Sequence, residues 1–417
     1  MARPYGFLML AAKGILRLIL NSTEMDTLPQ QPSVDEGPMI ELQSCQLRQY
    51  VAEALVPIDY LARLDDLLAG SGADLVAFVP GENMVYFTGL HFHLSERPIL
   101  GLYSKQGLSF IIPELEVAKL EARPDLEARR FMWTDQSGYE LAFREGVRAL
   151  APGNTSCAMD GQTLRFFEWR ALERAGLSSA NTADIGDLFL NMRARKAPEE
   201  LANMQRAIDI SEAALQATMD RAAPGMTERQ IADRLSAEMV ERGAQGFAFL
   251  LVLTGEKTGL PHGDTGDRVW GEDEFLLIDF GARYNDYPAD ITRTFCRGEP
   301  TAQMRAMYDA VYGANKAARE FARAGVSCEA VDRVARDVIE AAGFGEYFIH
   351  RLGHGLGLSV HELPNIVEGN KELLQPGMVF TIEPGVYVPG IGGVRIEDNV
   401  VVTDDGIDVL TSYPREL

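Results

Sequence analysis

The sequence predicts a mixed α/β (α+β) protein with a smaller N-terminal α/β domain and a larger second domain built from two similar halves. From about residue 57, short apolar runs typical of strands alternate with segments of helical periodicity. A long amphipathic segment then begins at Pro198, and two later segments, beginning at Gly225 and Gly325, have similar sequences. We therefore divide the chain into a leader and two domains, with limits at residues 1–50, 51–190 and 191–417.

Composition excludes some classes of partner. The 417 residues include 61 acidic and 39 basic side chains, which gives a formal net charge of −22. Without a long basic tract, the chain lacks the electrostatic footprint of a nucleic-acid-binding protein. Its four cysteines are scattered and form no CxxC pair. We therefore expect no disulfide, no structural zinc site and a reducing, cytoplasmic location.

The first 50 residues are expected to form a poorly ordered leader and linker. Residues 1–20 are rich in apolar side chains, but Lys13 and Arg17 interrupt them well short of the ~20 residues that a membrane-spanning helix requires. The uncharged run is also short for a secretory signal peptide. We therefore expect no membrane partner and regard Met39 as an alternative start of the native protein.

The expected elements of the two domains follow in order. "IDYLARLDDLLAGSG" has helical spacing and a glycine near its end, whereas "DLVAFVP", "MVYFTGL", "ILGLYS" and "LSFIIP" have the composition of strands. Residues 105–107, Lys-Gln-Gly, predict a turn between the last two strands. The second domain should begin with a long helix, "APEELANMQRAIDISEAALQATMDRA", with Pro198 in its first turn.

Two helices of the second domain are predicted to be copies of one another. "GMTERQIADRLSAEMVERG", from Gly225, aligns without gaps with "GVSCEAVDRVARDVIEAAG", from Gly325. Thr227 and Ser327 are the candidate N-caps, and Gln230 completes a capping box in the first copy. Helical periodicity alone recreates some of the apolar matches, but we interpret the pair as an internal duplication. Two facing halves would form a cleft in which polar groups from both can meet.

One predicted hairpin carries two aspartates where strands prefer apolar side chains. It is the stretch "LLIDFGARYNDYPADITRTF", which contains Asp279 and Asp290. A tight turn centred between Tyr284 and Asn285 would make the two aspartates direct cross-strand partners, with Cβ atoms about 5 Å apart. Two like charges at that separation destabilise a sheet unless a cation lies between them. The hairpin therefore predicts a metal site.

Further candidate ligands follow downstream. "HRLGHGLGLSVHE" supplies His350, His354 and His361 between glycines, and Glu383 and Glu397 lie in strand-like apolar segments. Each residue alone is explained by a solvated strand face, an ion pair or a structural histidine. Together, four carboxylates and a glycine-flanked histidine form an oxygen-rich ligand set suited to manganese, cobalt, iron or zinc. The sequence has no GxSxG, HExxH, GxxxxGK or strand-linked GxGxxG motif that would indicate a competing chemistry.

Four segments together resemble the metal-binding signature of the pita-bread metallopeptidases. In order they are "IDFGARYNDYPADITRTF", "GHGLGLSVHE", "TIEPGVYV" and "GGVRIEDNVVVT". The family includes Xaa-Pro dipeptidase (prolidase), aminopeptidase P and methionine aminopeptidase, with creatinase as a metal-free relative. The resemblance covers about residues 195–415, and the preceding domain is similar to the N-terminal domain of the creatinase, prolidase and aminopeptidase P branch. It implies a creatinase/prolidase-like α/β domain followed by a duplicated pita-bread catalytic domain.

The resemblance also implies a dinuclear metal site. Two divalent ions, with manganese first and cobalt, zinc or iron as alternatives, would lie between five ligands: Asp279, Asp290, His354, Glu383 and Glu397. Asp279 and Glu397 would bridge both ions. Asp290 would bind one ion, and His354 and Glu383 the other. A hydroxide shared by the ions would be the nucleophile, and Glu383 the general base and proton shuttle.

Substrate-binding residues are implied in the same way. His262, in "GLPHGDTGDR", and His361 match family histidines that contact substrate and stabilise the tetrahedral intermediate, although a structural role fits His361 equally well. Arg395 is a further candidate for substrate binding. Arg97, in "GLHFHLSERPIL", resembles the position from which dimeric prolidase-like enzymes reach a neighbouring active site. It could hold a substrate carboxylate there, or form a surface ion pair with Glu96.

These resemblances predict a cytoplasmic, homodimeric, metal-dependent hydrolase that cleaves the Xaa-Pro bond of dipeptides or short peptides, as a dipeptidase rather than an aminopeptidase P. Two alternatives stay open. One is action on a small osmolyte-like molecule, as an ectoine hydrolase or a dimethylsulfoniopropionate lyase, although Asp279-Phe280-Gly281 keeps the peptidase pattern. The other is an inactive binding module, but such modules usually lose ligands and this chain keeps all five.

Overall fold

The computed structural model describes residues 58–151 and 155–417. The predicted leader, residues 1–50, and the alternative start at Met39 lie outside the described residues, as does Cys45. The three cysteines that are described have free thiols. No helix among the described residues is both long enough and apolar enough to cross a membrane.

The N-terminal part is built on a six-stranded mixed sheet with the strand order β4-β3-β2-β1-β5-β6. Its main elements are α1 (Tyr60–Ser71), β1 (Leu75–Phe78), α2 (Glu82–Thr88), β2 (Leu100–Ser104), β3 (Gly107–Pro113), α3 (Val117–Glu121), β4 (Arg129–Trp133), α4 (Glu140–Leu150), β5 (Cys157–Met159), α5 (Phe166–Ala175), β6 (Thr182–Asp184) and α6 (Gly186–Ala194). Alternate residues of β1 enter two separate cores: Val76 packs in one, and Leu75 and Ala77 in the other. Both faces of this sheet are therefore covered.

One predicted strand of this part is a helix. "MVYFTGL" falls in α2, which ends at Gly89, where φ is +64°. Within the helix the Thr88 hydroxyl donates to the backbone oxygen of Met84 at 2.6 Å. The run is short and its residues are mostly buried, so apolar composition could not distinguish a buried helix from a buried strand. The other predicted elements, including the turn between β2 and β3, are confirmed.

The second part contains two helix pairs and three sheets. Its main elements are α7 (Pro198–Met219), α8 (Glu228–Glu241), β7 (Gly246–Thr254), β8 (Phe275–Tyr284), β9 (Tyr287–Pro288), β10 (Ile291–Cys296), α9 (Ala302–Phe321), α10 (Cys328–Ala341), β11 (Gly353–Gly355), β12 (Glu362–Ile366), β13 (Val379–Ile382), β14 (Gly385–Val388), β15 (Gly392–Arg395), β16 (Asp398–Val402) and β17 (Ile407–Val409). Helix α7 packs on α8, and α9 on α10. The sheets are β10-β8-β7 with β9 beside β8, β12-β11-β13-β16-β17, and the hairpin β14-β15.

The two helices predicted to be copies, α8 and α10, occupy equivalent positions. Gly225 and Gly325 precede them with left-handed φ angles of 98° and 81°. The Gly225 N–H donates to Trp270 O at 2.8 Å, and the Gly325 N–H donates to Leu374 O at 2.9 Å. The duplication is therefore present in the backbone hydrogen bonding of both halves. The N-caps differ, because the side chain of Thr227 accepts the predicted capping bond, whereas that of the second copy makes none.

The hairpin that carries the two aspartates has a different register from the predicted one. Asp279 lies opposite Thr292, not Asp290. The turn is centred between Asn285 and Asp286, which have φ angles of 44° and 73°. Positive φ at both central residues matches the twist of an antiparallel pair, and Asn and Asp adopt it more readily than aromatic residues. The prediction of direct cross-strand partners was therefore wrong, because the turn was placed one residue too early.

A short connection joins the two parts. Residue 190, the boundary expected from sequence, falls inside α6, and the next helix, α7, begins at Pro198. Residues 195–197 form the break between these helices. We propose this connection, rather than residue 190, as the domain boundary.

Candidate metal centre

Residues from both halves of the second part meet at one buried cluster. Asp290, His354 and Glu397 each offer a ligand atom within 4.8 Å of the others, and all three side chains are buried. Asp290 follows β9, His354 lies in β11, and Glu397 lies between β15 and β16. The duplicated halves therefore supply polar groups to one site.

Glu383 extends the cluster. It directly follows β13, and its Oε1 lies 3.3 Å from His354 Nε2, which is itself 3.5 Å from Asp290 Oδ2. The Thr381 hydroxyl donates to Glu383 Oε1 at 3.2 Å. The Glu383 N–H donates to Leu352 O at 2.8 Å. These bonds fix Glu383 to the segment that carries His354.

Asp279 is held at the cluster by Arg395. The guanidinium of Arg395 donates to Asp279 Oδ2, to Thr292 Oγ1 at 3.0 Å and to the Tyr387 hydroxyl at 2.7 Å. Arg395 is buried, and three of its guanidinium N–H groups donate within the protein. These contacts make Arg395 a support for Asp279, and the assignment of Arg395 to substrate binding stays a prediction.

The charges of the cluster fit a bound cation. Burial and then the neighbouring carboxylates raise the pKa of Asp290 and of Glu397 well above the usual range, and burial raises the pKa of Glu383 to about 7. Asp279 Oδ1 is buried and has no hydrogen-bond partner among the described residues. A divalent cation would relieve the repulsion between the carboxylates and satisfy this unpaired oxygen. The donor set is therefore suited to a metal ion.

Comparisons with known proteins identify the family. Residues 202–404 match the model for Metallopeptidase family M24, and residues 61–195 match the Creatinase/Prolidase N-terminal domain. The Xaa-Pro dipeptidase of Pyrococcus furiosus is 40% identical over 361 residues, which cover 86% of this chain and 99% of that protein. The chain belongs to metallopeptidase family M24.

Solved structures agree with this placement in family M24. An Xaa-Pro dipeptidase from Bacillus anthracis has a TM-score of 0.78 and 30% identity, covering 87% of this chain and 99% of that chain. An X-Pro aminopeptidase from Thermotoga maritima has a TM-score of 0.75 and 33% identity, covering 85% and 99%. This M24 protein therefore has the creatinase-type N-terminal domain and pita-bread catalytic domain that the sequence predicts.

Three further histidines were candidates from the sequence, and His262 lies close enough to both His350 and His361 for their charges to interact. The ring of His361 packs edge-on against that of His354, with centroids 4.2 Å apart, and is exposed on its other side. Burial, followed by the charges of Arg351 and His262, lowers the pKa of His361. His350 is not exposed: its Nε2 lies 3.0 Å from the Tyr387 hydroxyl, and burial lowers its pKa to about 4. Of these three histidines, His361 and His262 are the exposed ones.

Arg97 lies in an exposed ion-pair network. Its guanidinium donates to the two carboxylate oxygens of Asp135 at 2.9 and 2.8 Å, and to Glu96 Oε1 at 2.8 Å. The described residues of one chain therefore give Arg97 the surface partner that the sequence offered as an alternative, and add Asp135. A contact between Arg97 and the substrate of a neighbouring subunit stays a prediction.

Two supporting residues of this M24 site were missed in the sequence. The Thr292 hydroxyl donates to Glu397 Oε2 at 2.6 Å. The Asn399 side chain accepts the Asp290 N–H at 3.1 Å and donates its amide N–H to Asp290 O. Asp290 lies between β9 and β10, where the strand pairing of the hairpin is interrupted. Each supporting residue lies two positions after a ligand, and the period of a strand is two. Polar residues at that spacing were the available signal.

Proposed function

We propose that this M24 metallopeptidase hydrolyses the Xaa-Pro bond of dipeptides and short peptides. The observation that carries the proposal is the convergence of four carboxylates and one histidine at a single site. Support also comes from the near-complete coverage of a named Xaa-Pro dipeptidase at 40% identity. We propose dipeptides as the preferred substrates.

We propose that two divalent cations bind at this site, held by Asp279, Asp290, His354, Glu383 and Glu397. The set is rich in carboxylate oxygen, has one imidazole and contains no thiolate, so manganese is the first ion to test and cobalt, zinc and iron are alternatives. When bound, such ions polarise a scissile carbonyl and lower the pKa of a water molecule.

Glu383 is the proposed proton carrier. The side chains of Asp279 and Glu383 are 17% and 15% exposed, against 5% for Asp290 and His354. Arg395 donates to Asp279 Oδ2, whereas burial raises the pKa of Glu383 to about 7, so we assign the exchange of a proton to Glu383. It takes the proton of the attacking water and delivers it to the proline nitrogen as the C–N bond breaks. The products are a free Xaa carboxylate and a secondary amine.

His361 and His262 are the proposed donors to the carbonyl oxygen as it becomes negative. Both side chains are exposed, and His361 contacts the ring of His354. An N–H donor that faces the developing oxyanion stabilises the transition state more than the ground state. These two histidines therefore complete the chemistry that the carboxylate cluster begins.

We further propose a cytoplasmic homodimer in which Arg97 serves the neighbouring subunit. Free thiols at the three described cysteines suit a reducing compartment. If Arg97 holds a substrate carboxylate, Arg97→Ala should raise KM for a dipeptide much more than KM for a longer Xaa-Pro peptide. Arg130→Ala, which removes another exposed ion-paired arginine, is the matched control. Equal effects on both substrates would remove this assignment.

The test of the function is an assay of metal-stripped protein reloaded separately with manganese, cobalt, zinc or iron. The substrates are Xaa-Pro dipeptides, longer Xaa-Pro peptides, ectoine and dimethylsulfoniopropionate. We expect turnover of the dipeptides. Absence of proline-peptide turnover with every metal would overturn the proposal, and turnover of an osmolyte alone would favour the alternative activity.

A further inference from the structure

The two proposed oxyanion donors lie on loops that are tied down in the same way. His262 lies in the loop that joins β7 to β8, and His361 lies in the loop that joins β11 to β12. Both histidine side chains are exposed. Each loop is closed by hydrogen bonds to one buried glutamate, Glu228 for the first and Glu362 for the second.

Glu228 closes the loop of His262 by accepting donors from both sides of it. Its Oε1 accepts the Thr254 N–H at 2.9 Å, at the end of β7. Its Oε2 accepts the Gly266 N–H at 2.8 Å and the Lys257 ammonium at 2.6 Å. Glu228 is completely buried. The carboxylate therefore joins the start of the loop to a point just beyond His262.

Glu362 holds the loop of His361 through one backbone hydrogen bond. It directly follows His361 in sequence, and its Oε1 accepts the Ser359 N–H at 3.0 Å. A Cβ at Gly357 would come within 2.3 Å of Glu362 Oε2, so the loop backbone lies against the carboxylate. Glu362 is also buried.

Two cations, one from α6 and one from the domain connection, pair with Glu362. Arg193, in α6, donates to Oε1 through Nε at 3.1 Å, and Lys196 donates to Oε2 at 3.1 Å. Arg193 also donates to Asn83 Oδ1 at 3.1 Å, and Asn83 donates to Asp160 Oδ2 at 2.8 Å. A chain of buried polar groups thus connects the N-terminal part to the loop that carries His361. Buried charges of this kind are tolerated only when paired and fully hydrogen-bonded.

We propose that Glu228 and Glu362 are positioning residues, one for each histidine, that orient His262 and His361 toward the carboxylate cluster. The inference rests on the role proposed above for the two histidines. Glutamine has nearly the shape of glutamate but replaces one acceptor oxygen by an NH₂ donor. Glu228→Gln and Glu362→Gln therefore each weaken the hydrogen bonding that holds one of the two loops. Each variant is the matched control for the other.

The first test is independent of activity. The chain has six histidines, so ¹³C-labelled histidine gives a spectrum simple enough to assign by single His→Asn variants. Glu362→Gln should shift the His361 ring resonances and leave those of His262 in place, and Glu228→Gln should do the reverse. Lys196→Gln and Lys257→Gln remove one cation each and serve if a glutamine variant does not fold. Unchanged resonances, or equal shifts of both histidines in every variant, would overturn the proposal.

The second test is kinetic and uses the wild-type dipeptide turnover. Glu362→Gln should lower kcat about ten- to hundredfold with little change in KM or metal content, because a small misplacement of a catalytic group costs rate. In a His361→Asn background the same change should cost less than about twofold, whereas Glu228→Gln should keep its full cost. Full additivity of Glu362→Gln with His361→Asn would contradict the proposal. Absence of turnover by the wild type would refute the proposed function instead, and the histidine spectra would still decide the positioning.

Discussion

Glu397 and Asp398 are adjacent, fully buried carboxylates in opposite environments. Asp398 accepts from Arg293 at 2.9 Å and Arg415 at 2.7 Å. Burial opposes its ionisation, but these guanidinium charges outweigh burial and hold the pKa of Asp398 below its usual range. Glu397 faces the carboxylates of the candidate metal centre, and burial together with those charges raises its pKa.

The contrast shows which buried carboxylates indicate a metal site. Successive residues of an extended chain point to opposite sides. Glu397 therefore turns toward the carboxylate cluster and Asp398 toward the arginines. Glu362 resembles Asp398, because the cations Arg193 and Lys196 compensate its buried charge. Burial of an acid is therefore a weak signal, and burial of several acids with too few cations is a strong one.

The largest expected effect is the loss of activity when Glu397 is replaced. Glu397→Gln removes a proposed ligand, so we expect dipeptide turnover to fall at least about a thousandfold, equivalent to about 4 kcal/mol in the activation free energy. Metal analysis of the purified variant should show reduced content. Asp404→Asn, an exposed change nearby, is the control and should keep both activity and metal.

In stability, the Asp398 variant should be affected more than the Glu397 variant. Asp398→Asn leaves the buried Arg293 and the partly buried Arg415 without their counter-charge, and removal of one partner of a buried ion pair typically costs about 3–5 kcal/mol. The urea midpoint of the metal-free variant should fall by a corresponding amount. Metal-free Glu397→Gln should unfold no earlier than wild type, because the substitution removes repulsion. Equal destabilisation by both changes would contradict the distinction between the two carboxylates.

A smaller effect is expected at the hydroxyl that supports Glu397. Thr292→Val removes the 2.6 Å hydrogen bond to Glu397, and loss of such a supporting partner typically lowers metal affinity about ten- to hundredfold. Competition titration with a chelating dye measures this. Thr218→Val is the control, because the hydroxyl of this buried threonine bonds only within its own helix, to Ala214 O. Equal affinities in the two variants would argue against support of the ligand by Thr292.

The smallest expected effect is a pH dependence of the stability that Glu362, a buried carboxylate paired with cations, contributes. Burial would raise the pKa of Glu362, but Lys196 and Arg193 lower it below its usual value of 4.5. Its stabilising contribution is therefore present above about pH 4.5 and is lost as the pH falls through the folded-state value. The difference in unfolding free energy between wild type and Glu362→Gln should shrink below pH 4.5, by at most about 1.4 kcal/mol per pH unit. A difference that grows on acidification would refute this.

Much of this architecture could be predicted from sequence because the patterns are local. The copies α8 and α10 and the chemistry of the five clustered residues follow from periodicity and composition. The register of the hairpin depends on which residues adopt positive φ, and Asn285 and Asp286 were not recognised as the turn. Helix α2 was misassigned because an apolar run in a buried segment has no distinguishing period.

The supporting residues of the site depend on tertiary contacts that sequence spacing does not reveal. Arg395, for example, contacts Asp279 and Tyr387 in the folded protein, and no signal in the sequence indicated either contact. The cations of Glu362, Arg193 in α6 and Lys196 in the connection between the two parts, lie far from it in sequence. Long-range ion pairs of this kind require the fold itself.

The most direct test of the central claim is the response of stability to a divalent ion. Thermal unfolding of metal-free wild type and metal-free Glu397→Gln is measured with and without manganese. At a concentration a hundred times Kd, binding should stabilise the wild type by about 2.7 kcal/mol, and the variant should respond much less. If manganese stabilises both proteins equally, or neither, the assignment of Glu397 and the neighbouring buried carboxylates to a metal centre is contradicted.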